Sequence, residues 1–118
     1  MNGVLIGFAL LHLDHAPEHS NLVRPVELVR FYVAKEWHGQ GIAQRLMSAC
    51  REEAARRGGR TLWLAVWQSN ARAIAFYQKA GFGIAGSVTF RLGSQLQNDH
   101  MMTLSLEAAA PEEPVLRR

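Results

Sequence analysis

Two glycines, one residue apart, separate a strand-like run from a helix-like run in the segment VELVRFYVAKEWHGQGIAQRL. The first run is rich in β-branched and aromatic residues, which predicts a strand over residues 26–33. After Gly41, apolar residues recur at helical spacing, which predicts a helix from Ile42. Because a strand, a glycine-rich turn and a helix present free backbone N–H groups at the positive end of a helix dipole, the segment predicts an anion site.

The elements predicted around this segment indicate one domain that mixes helices and strands. Strands are expected over residues 3–13, 26–33, 61–68, 83–92 and 101–106, and the segment GSQLQNDH is expected to join the last two. The second helix is expected to begin after Asn70 as its N-cap. The strand, helix, strand order implies a right-handed parallel crossover. We expect a single domain over residues 1–107 and a disordered tail over 108–118.

The composition favours a globular protein of the cytoplasm. The chain has 118 residues, of which 48% are hydrophobic and 19% charged. No apolar run approaches the roughly 20 residues that span a bilayer, and the first residues lack the basic region of a signal peptide. The one cysteine, Cys50, excludes an internal disulfide and lies among the apolar positions of the first helix, so we expect a core residue.

The basic and histidine residues suggest neither a nucleic-acid nor a metal site. The formal charge of +3 comes largely from arginines near the end of the first helix, where they complement the helix dipole. No aromatic residues alternate with them to form a base-stacking surface. His12, His15 and His19 lie in or near one loop, without a carboxylate or cysteine partner at ligand spacing in the sequence. We therefore expect no bound metal.

Three classes of phosphate-binding loop were compared with the glycine segment. A nucleotide triphosphatase loop requires Lys and Ser or Thr after its last glycine, and neither follows Gly41. A dinucleotide fingerprint requires a third glycine where this chain has Gln44, and an acid at the end of the next strand, which TLWLAVWQ lacks. Both classes are therefore disfavoured.

The third class of loop belongs to a known family, which the glycine segment resembles. HGQGIA resembles the Q/R-x-x-G-x-G/A signature of the GNAT superfamily of N-acetyltransferases, with His38 in place of the usual Gln or Arg. The later segment NARAIAFYQKAGF is similar to the second hallmark of that family. LWLAVWQSNARAIAFYQKAGF followed by FRLGSQLQNDHMM is most similar to the PaiA-type subgroup, whose members are linked to acetylation of polyamines.

The resemblance implies an α/β fold with a mixed central sheet, in which two parallel strands splay apart to hold acetyl-coenzyme A. The arm of the coenzyme would pair with the backbone of Phe31, Tyr32 and Val33. Its pyrophosphate would lie on the loop, and Asn70 would add a contact. The loop residues expected to contribute are His38, Gly39, Gln40, Gly41, Ile42, Ala43 and Gln44.

Two side chains are expected to move protons. Tyr77 matches the general acid of the family, and a phenol can protonate a departing thiolate. Glu27 is the only carboxylate within the predicted central strands, and strict alternation places it on one face with Val29, Phe31 and Val33. We expect Glu27 to accept the ammonium proton of a small amine. Packing alone for Tyr77 and a surface position for Glu27 are the alternatives.

Complete members of the family begin with another strand and two helices, which this chain is expected to lack. The loss would expose a sheet edge and favour a homodimer. The sequence thus favours an N-acetyltransferase acting on a small amine such as a polyamine. The main alternative is a non-catalytic coenzyme A-binding or regulatory protein, and nucleic-acid binding through the arginine cluster is a weaker one.

Overall fold

The computed structural model describes residues 3 and 5–107. The predicted tail, residues 108–118, lies outside the described residues. The elements follow one another as β1 (Gly7–Leu13), β2 (Pro25–Val33), a short 3-10 helix (Lys35–Trp37), α1 (Ile42–Arg56), β3 (Thr61–Trp67), α2 (Ala71–Lys79), β4 (Gly83–Leu92) and β5 (Gln95–Ser105). No helix in the described part of the chain is long and apolar enough to cross a membrane.

The strands form one mixed sheet in the order β1-β2-β3-β5-β4. Among the strands of the described residues, only β2 and β3 pair in parallel, and α1 connects them as the predicted crossover. The predicted α/β class, with a mixed central sheet, is confirmed. The last two strands differ from the sequence prediction, because β5 begins at Gln95 and pairs with β4 directly after a turn at Gly93 and Ser94. The polar segment QLQNDH, which was expected to lie in the connection, is part of β5. Its residues pair with those of β4, and such cross-strand pairs stabilise a strand of polar composition.

Both helices pack on one face of the sheet. Alternate residues of β2, β3 and β5 meet Met47, Cys50 and Ala54 of α1 in one buried cluster, and the apolar side of α2 packs against the same cluster. On α1, Met47 is buried whereas the apolar residue Ala49 is exposed. Cys50 is buried, as expected for a core residue.

The opposite face of the sheet carries exposed aromatic and aliphatic side chains. They include Phe8, Leu10, Tyr32 and Trp67, which are 39%, 50%, 44% and 55% exposed. Phe8 and Tyr32 are paired in register on neighbouring strands, and their rings lie 5.7 Å apart. The sheet thus has one helix-covered face and one open face among the described residues.

An irregularity in β2 decides which side chains lie on which face. The register with β1 shifts between Leu10 and Leu11, so Val29 has no partner in the ladder. An extra residue in one strand reverses the alternation beyond it. Phe31 therefore packs against the helix-covered core, together with Leu28, while Glu27 lies on the open face. The predicted placement of Glu27 on one face with Phe31 and Val33 is wrong for this reason.

Candidate coenzyme and acceptor site

A cleft opens where the two parallel strands diverge. The ladder between β2 and β3 ends at the pair Glu27 and Trp63, although β2 continues to Val33 and β3 to Trp67. Beyond that pair, the edge of β2 that faces β3 has no strand partner in the described residues. Backbone N–H and C=O groups in such a gap can pair with an inserted extended ligand.

The glycine loop lies at the wide end of this cleft, between β2 and α1. Gly39 and Gly41 have φ values of 80° and 77°, a conformation that other residues rarely adopt. No atom lies within 4 Å of the Cβ position of either glycine, so the backbone conformation rather than crowding requires glycine. Gly41 is the N-cap of α1 and provides no side-chain cap. The first amides of α1 are therefore available to an anion.

His38 connects the loop with both β2 and α2. Its Nε2 donates to the carbonyl oxygen of Val33 at 2.9 Å, and its Nδ1 accepts from Nη2 of Arg72 at 3.4 Å. The neutral imidazole with its proton on Nε2 satisfies both bonds. Because the neighbouring Ala34 N–H donates to Ile6 on the β1 side, alternation directs the Val33 carbonyl toward the cleft. His38 therefore already occupies one acceptor of the strand edge.

Arg72 is a site residue that sequence reasoning missed. It lies in the first turn of α2, which starts directly after the end of β3, at the same edge of the sheet as the glycine loop. Parallel strands bring their carboxyl ends to one edge, so the two helix starts are neighbours. The sequence did contain a signal for Arg72. The helix dipole disfavours a basic residue in the first turn, so an arginine there indicates a role other than helix stability.

Asn70 caps α2, as predicted. Its Oδ1 accepts a hydrogen bond of 3.2 Å from the N–H of Ala73, which stabilises the first turn of the helix. Since this side chain is exposed and its cap bond uses only Oδ1, its amide nitrogen is available to a ligand in the cleft. The predicted contact with a coenzyme stays a prediction.

Tyr77 lies on the helix-covered face among aromatic side chains. Its ring packs edge-on against Phe31, Phe76 and Phe82, at centroid distances of 6.3, 5.5 and 5.7 Å. Burial raises the pKa of the Tyr77 phenol above its usual value, and the nearby Cys50 adds to the shift. A phenol with a raised pKa holds its proton at neutral pH. A phenol that keeps its proton can act as a proton donor. The aromatic contacts explain the burial of the ring but assign no role to its hydroxyl group.

Glu27 lies at the narrow end of the cleft, on the open face. Its side chain is 19% exposed, and its Oε1 is 3.5 Å from Nε2 of His15. The antiparallel register places His12 directly opposite Glu27, and the rings of His12 and His15 stack at 4.3 Å. Trp63 fixes the loop by donating from Nε1 to the carbonyl of His15 at 2.7 Å.

The expectation that these histidines lack a carboxylate partner is therefore wrong. Potential ligand atoms of His12, His15 and Glu27 lie within 4.8 Å of one another, while His19 is not among them. The cluster could not be predicted from sequence spacing, because Glu27 belongs to the next strand. The register between β1 and β2 brings Glu27 close to His12. The comparisons with known proteins indicate no metal-binding family.

Three features point to one class of protein, the N-acetyltransferases of the GNAT type. They are the divergent parallel strands, the loop with two left-handed glycines and the uncapped start of α1. The profile described as the acetyltransferase (GNAT) family matches residues 1–82. The chain belongs to this family, as its motifs predicted.

Two relatives place the chain within the family. It is 39% identical over 105 residues to an uncharacterised N-acetyltransferase of Mycobacterium tuberculosis, covering 89% of this chain and 63% of that protein. It is 28% identical over 89 residues to the spermine/spermidine N(1)-acetyltransferase of Bacillus subtilis, covering 75% of this chain and 59% of that protein. The chain thus spans less than two thirds of the length of these relatives.

One solved structure shares the fold of this chain. The PaiA N-acetyltransferase of Thermoplasma acidophilum, in complex with coenzyme A, has a TM-score of 0.62. It is 24% identical and covers 85% of this chain and 53% of its own. The likeness shows the fold.

Proposed function

We propose that the protein transfers an acetyl group from acetyl-coenzyme A to a primary amine of a small molecule in the cytoplasm, with polyamines as the favoured class. The observation that carries the proposal is the cleft between β2 and β3, which opens beside the uncapped start of α1. A backbone edge next to a helix N-terminus suits an extended amide chain attached to a pyrophosphate. The Bacillus subtilis relative named for spermine and spermidine supports the choice of polyamines.

The residues of the cleft fit acetyl-coenzyme A, which supplies the activated acetyl group. The free amides from Gly41 to Gln44 would bind its pyrophosphate, and the left-handed φ of Gly41 turns the backbone toward it. Phe31 and Val33 would pair with its amide arm. Since His38 holds the Val33 carbonyl, the Val33 N–H and the Phe31 groups are the ones left for that pairing. Arg72 would add positive charge beside the phosphates.

Two groups on opposite faces would divide the proton transfers. Glu27, on the open face, would take a proton from the ammonium group, and the exposed imidazole of His15 would pass it to solvent. The neutral amine then attacks the thioester carbon. As the carbon–sulfur bond breaks, Tyr77 gives its proton to sulfur, the nitrogen loses its second proton to solvent, and the phenol takes a proton back from solvent. The products are an amide, a thiol and one net proton.

Thiol release measured with a chromogenic disulfide tests this proposal. We expect acetyl-coenzyme A with spermidine to release thiol at a rate that depends on the amine, and the product to gain one acetyl group by mass spectrometry. Calorimetry with coenzyme A serves as an independent measure of binding. Coenzyme binding without thiol release across a broad panel of amines would reject the transferase and leave the non-catalytic coenzyme A-binding function.

A further inference from the structure

Asp99 is the only buried charged residue in the described part of the chain. It is 8% exposed, and its Oδ1 accepts a hydrogen bond of 2.8 Å from Nε2 of Gln97. Within residues 5–107, no side chain donates to its Oδ2, and no Lys, Arg or His forms an ion pair with it. A buried carboxylate normally has a cationic or multiple hydrogen-bonding partner, because desolvation of an unpaired charge is costly.

The sheet places Asp99 on the open face, beside the cleft. Asp99 is the register partner of Trp67, the last residue of β3. Leu64 and Val66 of the same strand belong to the helix-covered core, so Trp67 and its partner Asp99 point to the other face. That face also carries Glu27, at the narrow end of the cleft.

The surroundings of Asp99 combine apolar side chains with an exposed indole. Val88 of β4 is its register partner on the other side, and Phe90 lies opposite Gln97. Trp67 is 55% exposed, which is high for an indole beside a buried acid. A carboxylate bordered by an accessible indole is an arrangement that binds ammonium groups, through charge-assisted hydrogen bonds and cation–π attraction.

We infer that Asp99 and Trp67 form a subsite for a second cationic group of the acceptor, and thereby favour di- and polyamines over monoamines. The inference rests on the proposed function and deepens it. Trp63, level with Glu27, and Trp67, level with Asp99, are four residues apart on β3. At about 3.3 Å per residue the two carboxylates are offset by roughly 13 Å along the strands. A flexible chain of several methylenes can bridge such a distance between a reacting amine and an anchored one.

The two helices explain why the acceptor would use this face. α1, whose start would hold the coenzyme, and Tyr77 of α2 both lie on the covered face. Among the described residues, no helix covers the face that carries Glu27 and Asp99, so an amine has access to the cleft from that side. Ala65, which lies on the open face of β3 between Trp63 and Trp67, would contact the methylene segments between the charges of the amine.

The test is a series of α,ω-diamines of increasing length, each paired with the n-alkylamine of the same carbon number. For wild type we expect kcat/KM to favour diamines, with an optimum at an intermediate length. Asp99→Asn keeps the shape and the Gln97 bond but removes the charge. It should lower kcat/KM for the best diamine about tenfold or more, and change that for the matched monoamine less than about twofold.

Two further variants separate the subsite from general effects of charge and folding. Glu52→Gln removes the same charge from an exposed position of α1 and should leave the diamine preference unchanged. Trp67→Leu alters an exposed side chain and should also reduce the preference. An Asp99→Asn enzyme that is folded by circular dichroism and retains the full preference would overturn the inference.

Failure of the proposed function would be distinguishable from failure of the subsite. If no amine is acetylated, the transferase proposal fails, and calorimetry of spermidine binding in the presence of coenzyme A then tests the subsite. Weaker binding to Asp99→Asn than to wild type and Glu52→Gln would support the subsite, whereas equal binding or no binding to wild type would reject it.

Discussion

The glycine loop offers a sharp test because α1 has a left-handed glycine at each end. Gly41, at its start, has φ 77°, and Gly58, just past its end, has φ 88°. Neither has an atom within 4 Å of its Cβ position, so an added methyl group meets no obstacle at either end. Gly41→Ala and Gly58→Ala are therefore matched in strain and in space, but only Gly41 lies at the proposed coenzyme site.

The expected loss of stability follows from the backbone alone. The left-handed conformation costs a non-glycine residue about 1 to 2 kcal/mol. Alanine also restricts the unfolded chain, which offsets this by about 0.4 to 1 kcal/mol. Each variant should therefore lose about 1 kcal/mol of unfolding free energy, measured by urea denaturation and extrapolated to water.

Coenzyme binding should separate the two variants. A methyl group at Gly41 projects beside the first amides of α1, and the loop must shift to relieve its strained φ. Loss of one charge-assisted hydrogen bond to a phosphate corresponds to at least about a tenfold increase in Kd. We expect calorimetry with coenzyme A to show this increase for Gly41→Ala and no change for Gly58→Ala. Equal Kd values for the two folded variants would refute the assignment of the loop to the coenzyme.

Three other substitutions test the remaining parts of the site and core. Tyr77→Phe should lower kcat about 100-fold or more, as expected for loss of a general acid, while Tyr32→Phe on the open face should not; a kcat near that of wild type would leave Tyr77 a packing residue. Because the raised pKa of Tyr77 lets the unfolded state lose its proton first, stability should fall as pH rises above about 10, and Tyr77→Phe should flatten that fall in thermal melts. Glu27→Gln should lower kcat/KM about 100-fold, as expected for loss of a general base, and a value near that of wild type would exclude Glu27 as the base. Met102→Ala, at a fully buried position, should cost about 2 to 5 kcal/mol in urea denaturation, and a smaller loss would indicate that the core collapses into the space.

Local signals in the sequence were sufficient to predict the elements that surround the cleft between β2 and β3. The strand over residues 26–33, the start of α1 at Ile42 and the Asn70 cap were all predicted from neighbouring residues. Such features depend on backbone preferences and hydrogen bonds between residues a few positions apart. Sequence motifs of the same local kind also predicted the family, which the comparison confirmed.

Only the tertiary structure decided which side chains meet on the open face. The unpaired Val29 reverses the alternation of β2 and so separates Glu27 from Phe31, which strict alternation had placed together. Pairing between strands that are distant in sequence brings His12 to Glu27 and Trp67 to Asp99. Because a shift of one residue in register turns every later side chain to the other face, no local pattern specifies these contacts. The chain thus encodes its glycine loop locally, whereas the group of side chains on its open face is assembled only once the sheet has formed.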